Sequence, residues 1–416
     1  MAHAAMHAAM RVFADGKHKT ALMAFAETGQ LEAMRVLLQH SADPAAMMML
    51  TCAGGSTALS AAATKGQVEA MRLLLDHSSA DPAAMMMMMS PDGGPSALMV
   101  AAGEGHVGAM ELLLDHPSSD AAAMMMLADT EGDTALMWAA ESGRVEAMRL
   151  LLNHPSADAA AMMMLEDESG KIVLMQVADK GRVDVMRVLL DHPSANAAAM
   201  MMHRNPSDRT ALLRAAVAGK VDVIRVLLDH PSADAAAMMV LAGDEGATPL
   251  TRTAEAGHVD AMRLLHPWAD PAAMMMHTDT NGITALIHAA YAGHVDAVRL
   301  LLDHPSADAA AMMTLSCSNG STHLMMAAAG GHMDVMRLLL DHPSADAAAM
   351  IAARNTGGFS ALTAAAQFAS DGPYNSDASP TTPCAPLLLL LRRVAVEPQP
   401  TDAQQAHMSL VVEALC

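Results

Sequence analysis

The chain has 416 residues, 53% of them hydrophobic and only 2% aromatic, with 45 acidic residues against 24 basic ones and a formal charge of −21. A surface this acidic repels phosphate backbones and anionic bilayers, so nucleic acid is not expected as a partner. Its four cysteines, Cys52, Cys317, Cys384 and Cys416, form no Cys-x-x-Cys pair, so neither a disulfide framework nor a zinc site is expected.

Residues 1–19 read as an N-terminal remnant or cap, because Ala8-Ala9-Met10 and Asp15-Gly16 echo the end of the unit that follows. From Thr20 onward one unit recurs ten times, and the array runs to residue 369. Its opening residue falls at Thr20, Thr57, Ser96, Thr134, Ile172, Thr210, Thr248, Thr284, Thr322 and Ser360. Such a period marks a stack of one supersecondary unit, because each copy can bury its apolar face only against its neighbours. Ala, Leu and Met dominate, which suits closely packed helices more than a sheet. The expected fold is therefore all-α, an α-solenoid of stacked helix-turn-helix repeats joined by short hairpin fingers. Such an array grows by adding copies and leaves little room for a separate catalytic domain.

Copy four illustrates the unit. Thr134 suits a helix N-cap, Ala135, Leu136, Ala139 and Ala140 fall on one helix face, and Gly143 can end that helix in the left-handed conformation. A second helix carries Val145, Met148, Leu151 and Leu152 as its apolar stripe, with Glu146 and Arg149 spaced to pair on its outer side. The glycine recurs nine positions after the opening residue in nine copies, from Gly29 to Gly331. Turn pairs such as Glu131-Gly132, Asn281-Gly282 and Asn319-Gly320 precede the next opening residue and favour tight hairpins. Between second helix and finger lies H-P-S-A-D-A-A-A-M-M-M. There Asp43-Pro44, Asp81-Pro82 and Asp270-Pro271 place a capping residue and a first-turn proline before good helix formers, which predicts a short third helix.

Local exceptions follow in chain order. Copy five opens with Ile172, which cannot cap; Asp208 stands where the finger glycine of copy six belongs; copy seven is two residues short and carries Trp268. Copies five to seven are accordingly expected to be the weakest stretch of the stack. Residues 370–386 read as an irregular loop rich in Pro, Ser, Thr and Asp, and 387–416 as C-terminal capping helices. In the latter, Leu387–Leu391 with Arg392 and Arg393 resembles a displaced second helix, and Thr401-Asp402 can cap a last one.

Repetition weighs against catalysis, which needs one unique constellation. Nine histidines, including His116, His154 and His342, share one repeat position after the second helix, where an imidazolium favours the negative end of the helix dipole. Copies stacked ~8–10 Å apart cannot bring these histidines to one zinc ion. The 43 methionines either extend the core from finger to finger or form an adaptable exposed stripe, and no Met/Cys/His cluster supports copper(I). The Asp/Glu-x-x-Arg ladder on the second helix reads as a solvated face. Neither a phosphate-binding glycine loop nor a hydrolase motif is present, so no enzyme activity, cofactor, metal or catalytic residue is expected. No apolar run approaches the roughly 20 residues that span a bilayer. Met1–Phe13 lacks a basic leader with an apolar core. An intracellular, cytoplasmic protein without membrane insertion is expected.

The run T-A-L, then A-A, then G-H-V, then L-L-L, with a glycine-containing hairpin before each Thr, resembles the ankyrin repeat over residues 20 to about 366. Two departures stand out. The histidine that follows T-P-L in that family is replaced by Met23, Ser60, Met99, Thr363 and others, and the period exceeds the family's ~33 residues. The resemblance implies a protein–protein interaction scaffold or adaptor that binds a protein or peptide through a concave face and the hairpin tips. Non-uniform residues at those places are the candidate partner-binding set. They are Trp138, Gln176, Arg214, Arg252 and His288 at the fourth position after the opening residue, Tyr291 at the seventh, and Phe359 just before an opening residue. Trp138, Arg214, Arg252 and Tyr291 are expected to contribute to one continuous surface. The alternatives are a substrate-recognition subunit recruiting an enzyme such as a ubiquitin ligase, and a repetitive expansion without a defined partner.

Overall fold

A computed structural model describes residues 19–52, 55–89, 93–265, 270–371, 386, 389–391 and 393. Trp268, nearly all of 1–19 and most of 370–416 therefore lie outside the described residues. Nine of the ten opening residues cap a helix. Each Thr or Ser oxygen accepts the N–H three residues on, at 3.2 Å for Thr20 and 3.0 Å for Thr57, which satisfies a donor that the first turn would leave unpaired. Ile172 makes no such bond. The third helical residue often replies, as Ser60 Oγ accepts the Thr57 N–H at 2.8 Å and the thioethers of Met23 and Met99 accept those of Thr20 and Ser96. These contacts substitute for the histidine that the sequence lacks there.

In copy four the first helix runs Ala135–Glu141, the second Val145–Asn153 and the third Ala159–Met164. The third helix recurs in copies one to nine, from Pro44–Met48 to Ala347–Ala352, each opened by an Asp or Asn whose oxygen accepts an N–H three residues on. In copies one to eight two methionines of each third helix, such as Met124 with Met125 and Met162 with Met163, are buried, and in copy nine Met350 with Ile351. Methionine thus extends the core under the fingers. The outward exception is Met126, partly exposed.

Two compact units divide the chain at residues 206 and 207. Unit one holds copies one to five and unit two copies six to ten. Within each, first helices pack against first helices and second helices against second helices of the neighbouring copy. All nine cap glycines are left-handed, with φ between 64° and 80°. Space as well as torsion restricts Gly293, because a Cβ there would stand 2.4 Å from Nδ1 of His332 in the next copy.

Several details differ from the sequence reading. In the pairs Glu131-Gly132, Asn281-Gly282 and Asn319-Gly320 only the glycine has positive φ, whereas Glu245 and Gly246 both do, and Gly132 donates to the Asp129 carbonyl at 3.0 Å. The turn is therefore a type I turn closed by a left-handed glycine, not a two-residue turn. Glu146 and Arg149 are not in ion-pair contact. The same spacing does pair Glu32 with Arg35, Glu69 with Arg72 and Asp334 with Arg337, all at the surface. The last first-helix, Ala361–Asp371, continues two residues past the expected boundary. Beyond it Leu390 is fully buried and Arg393 pairs with Asp341 at the end of the second helix of copy nine.

Candidate partner-binding grooves

In copies four, five, eight and ten the finger is held by one side chain five residues before the opening residue. Asp129 Oδ1 accepts the N–H groups of Glu131 and Asp133 at 3.0 and 2.9 Å, closing the turn. Its second oxygen takes the Trp138 indole N–H at 2.9 Å. Asp167 and Asp279 repeat the arrangement, with Gln176 Nε2 at 3.1 Å and His288 Nε2 at 3.2 Å on the second oxygen. Three of the expected partner-binding residues therefore also tie the first helix to its own finger, a role not assigned from sequence. Gln176 reaches further, donating to Asp133 of the preceding finger at 2.6 Å. Trp138 stands over the previous copy's Gly103, where a Cβ would be 3.0 Å from the ring. The repeated Asp was visible in the sequence, but as a surface acid it gave no sign of its three acceptor bonds.

Copy seven has Gly243 at the anchoring position. Its finger is held instead by Arg209, which grips Asp244 with Nε at 3.1 Å and Nη2 at 2.8 Å; these bonds hold the Asp244 carboxyl below its ordinary value of 3.8. Arg252 pairs with Glu255 at 2.9 Å and lies 3.9 Å from both Asp244 and Glu245. Arg214 and Tyr291 are half-buried on their first helices, and Phe359 is 51% exposed. None of Trp138, Arg214, Arg252 and Tyr291 is buried in the core.

Two depressions form between adjacent copies at these positions. A cleft of about 480 Å³ in copies four and five is lined by Glu131, Asp133, Glu141, Asp167, Glu168 and Asp179, together with Lys171, Gln176 and Lys180. Burial raises the Asp133 carboxyl above its ordinary value against the bond from Gln176, and Asp129, Asp167 and Glu141 push the same way. For Asp167 burial also raises, but bonds from Ser169, Lys171 and Gln176 outweigh it and the net shift is downward. A groove of about 220 Å³ in copies nine and ten is lined instead by Met325, Met326, Ala329, Phe359, Ala364 and Phe368, with Ser321, Asn355, Ser360 and Gln367 at its edge.

The repeated histidines serve the stack. In the His-Pro-Ser turns, Nδ1 of His116, His154 and His342 accepts the N–H two residues on at 3.1–3.2 Å. An accepting Nδ1 carries no proton, which leaves it on Nε2, aimed at Asp76, Asp115 and Asp303 of the preceding copies at 3.7, 3.4 and 3.7 Å. The turn bond at Nδ1 and the nearby carboxylate of the preceding copy give these histidines a structural role that position alone did not announce. A second series, His106, His258, His294 and His332, makes a hydrogen bond through Nε2 to a carbonyl at the end of the preceding first helix, at 3.1, 3.2, 3.0 and 2.9 Å. Among the described residues no helix is long and apolar enough to cross a membrane, and no three His, Cys, Asp or Glu side chains are placed to hold a metal ion.

Stacked three-helix copies with capped first helices, anchored fingers and side-chain clamps between neighbours define an all-α repeat solenoid. The family model described as "Ankyrin repeats (3 copies)" matches residues 3–86, 82–163, 158–238 and 235–312, and the one described as "Ankyrin repeat" matches 319–354. The chain belongs to the ankyrin repeat family, whose repeats are general protein–protein interaction modules. Among curated proteins none matches the chain.

Proposed function

We propose that this protein is a non-catalytic scaffold or adaptor that binds protein or peptide partners along its first helices and finger tips. One observation carries the reading: the positions that line the inter-copy depressions change from copy to copy, while the capping Thr or Ser and the left-handed cap glycine each recur in nine of the ten copies. The same places hold carboxylates in copies four and five and aromatic and thioether side chains in copies nine and ten. Aromatic and arginine side chains are the types that dominate binding energy at interfaces, and Trp138, Gln176, Arg214, Arg252, His288, Tyr291 and Phe359 are the assigned contacts. Trp138, Gln176 and His288 serve both roles, since a side chain fixed by the finger carboxylate meets a partner at low entropic cost.

Affinity capture with the full chain, followed by mass spectrometry, tests this. A reproducible partner set is expected, with one subset lost in Phe359→Glu and another in Glu141→Lys. A partner set that survives both substitutions unchanged would overturn the assignment of the grooves. Ligase subunits among the captured proteins would direct the adaptor reading to enzyme recruitment.

A further inference from the structure

Copy nine departs from the others at the first helical residue. Seven copies have alanine there (Ala21, Ala58, Ala97, Ala135, Ala211, Ala285 and Ala361), whereas copy nine has His323. This imidazole has 0% exposure, and neither ring nitrogen has a hydrogen-bond partner. Its helix, His323–Ala329, also supplies Met325, Met326 and Ala329 to the apolar groove. We propose that His323 makes copy nine an acid-sensitive element: on taking up a proton it opens this helix, and with it the groove shared with copy ten.

A buried imidazolium needs a counter-charge or several acceptors, and the surroundings supply neither. The titratable groups on the elements packed against this helix are few. The preceding first helix carries His288, bound to Asp279, and Tyr291; the second helix of copy nine carries Asp334 paired with Arg337, and Asp341 paired with Arg393; the finger carries Cys317, whose thiol donates to Asn319. The described side chains of the Ala361–Asp371 helix include no titratable group. Burial alone therefore acts on His323, lowering it from 6.5 to about 4. Between those values the unfolded copy binds more protons than the folded one, so stability is full above the unfolded value and falls as pH drops through the window. His332 in the same copy is lowered as well, by burial and by His294 against its hydrogen bond to Tyr291. Its proton on Nε2 already makes that bond, so charging it breaks no contact.

Hydrogen exchange of the full chain at pH 7.5 and pH 5, corrected for intrinsic rates, tests the proposal. The opening constant of residues 322–341 is expected to rise about 30-fold at the lower pH, a factor set by the two His323 values through linkage. Copies three and four should not change, and His323→Ala should remove most of the rise, leaving only the smaller part that the lowered His332 contributes. His332→Gln should retain the larger part, since Gln67 occupies the same place in copy two. Equal protection of wild-type copy nine at both pH values would overturn the proposal. So would a rise that persists in His323→Ala and vanishes in His332→Gln. Should His323→Ala fail to fold, imidazole nitrogen spectra of the wild-type chain decide, because a charged His323 ring inside a protected copy nine contradicts the mechanism. The proposal takes the groove as described above, but no partner enters this readout. A groove that binds nothing would leave the exchange result standing.

Discussion

The cleft of copies four and five and the groove of copies nine and ten use the same positions of the repeat to opposite effect. Just before the opening residue the cleft has Asp133 and Lys171, the groove Ser321 and Phe359. At the fourth position Gln176 answers to Met326 and Ala364, at the seventh Glu141 and Asp179 to Ala329 and Gln367, and at the eighth Lys180 to Phe368. The backbone frame is shared, so the contrast isolates what side chains alone can change. One repeat makes either a polar, mostly acidic depression or an apolar one on the same helix-and-finger frame.

The finger anchors allow the sharpest test of that separation. Asp167→Ala removes a carboxylate that accepts two turn N–H groups and the Gln176 amide, and should destabilise unit one by about 2 kcal/mol in urea unfolding. In the groove the corresponding Asn355 accepts from Gly357 and Phe359 as a neutral amide, so Asn355→Ala should cost about 1 kcal/mol. Equal losses would mean that the anchor's charge contributes nothing.

Copy six lies in neither depression and carries a backbone defect. Asp208 holds φ at 55°, a left-handed torsion that the other copies give to glycine. Asp208→Gly is expected to stabilise by about 1 kcal/mol, read as slower hydrogen exchange in copies six and seven. No change would show that contacts of the Asp208 side chain balance the torsional cost. The missing cap at Ile172 is a weaker defect than the sequence implied. Its side chain is fully buried, and each extra buried methylene is worth roughly 0.8 kcal/mol against a cap of about 1 kcal/mol.

The smallest expected effect distinguishes two carboxylates in one cleft. Asp133 is raised, so at neutral pH its charge opposes folding, and Asp133→Asn should stabilise by a few tenths of a kcal/mol. That gain should fade as the pH falls below the raised value. Asp167 is lowered, and its contribution should be full above 3.8 and disappear as the pH falls further. Urea midpoints of the two variants between pH 3 and 7 should therefore move in opposite senses; parallel profiles would refute the assignment.

The array, the caps, the left-handed glycines and the third helix were legible because each is a local rule repeated many times. Asp43-Pro44 announces a helix start whatever lies beyond it. What escaped was contact between copies. His154 looks like a helix-end cation until its Nδ1 is seen accepting from Ser156, and Trp138 looks like a free contact residue until Asp129 and Gly103 are placed beside it. His323 could be noticed as an odd residue, but only its surroundings reveal that it has no partner.

The central claim is that partners meet the changing positions of the first helices and fingers while the second helices and Asp-His-Pro turns face away from them. Site-specific photo-cross-linking tests it most directly, with benzoylphenylalanine placed in the full chain at Phe359, Tyr291 or Lys171 and, for comparison, at Arg299 or Arg337 on second helices. Cross-links to a captured partner are expected from the first group and not from the second. Cross-links from Arg299 and Arg337 with none from Phe359, Tyr291 or Lys171 would contradict it.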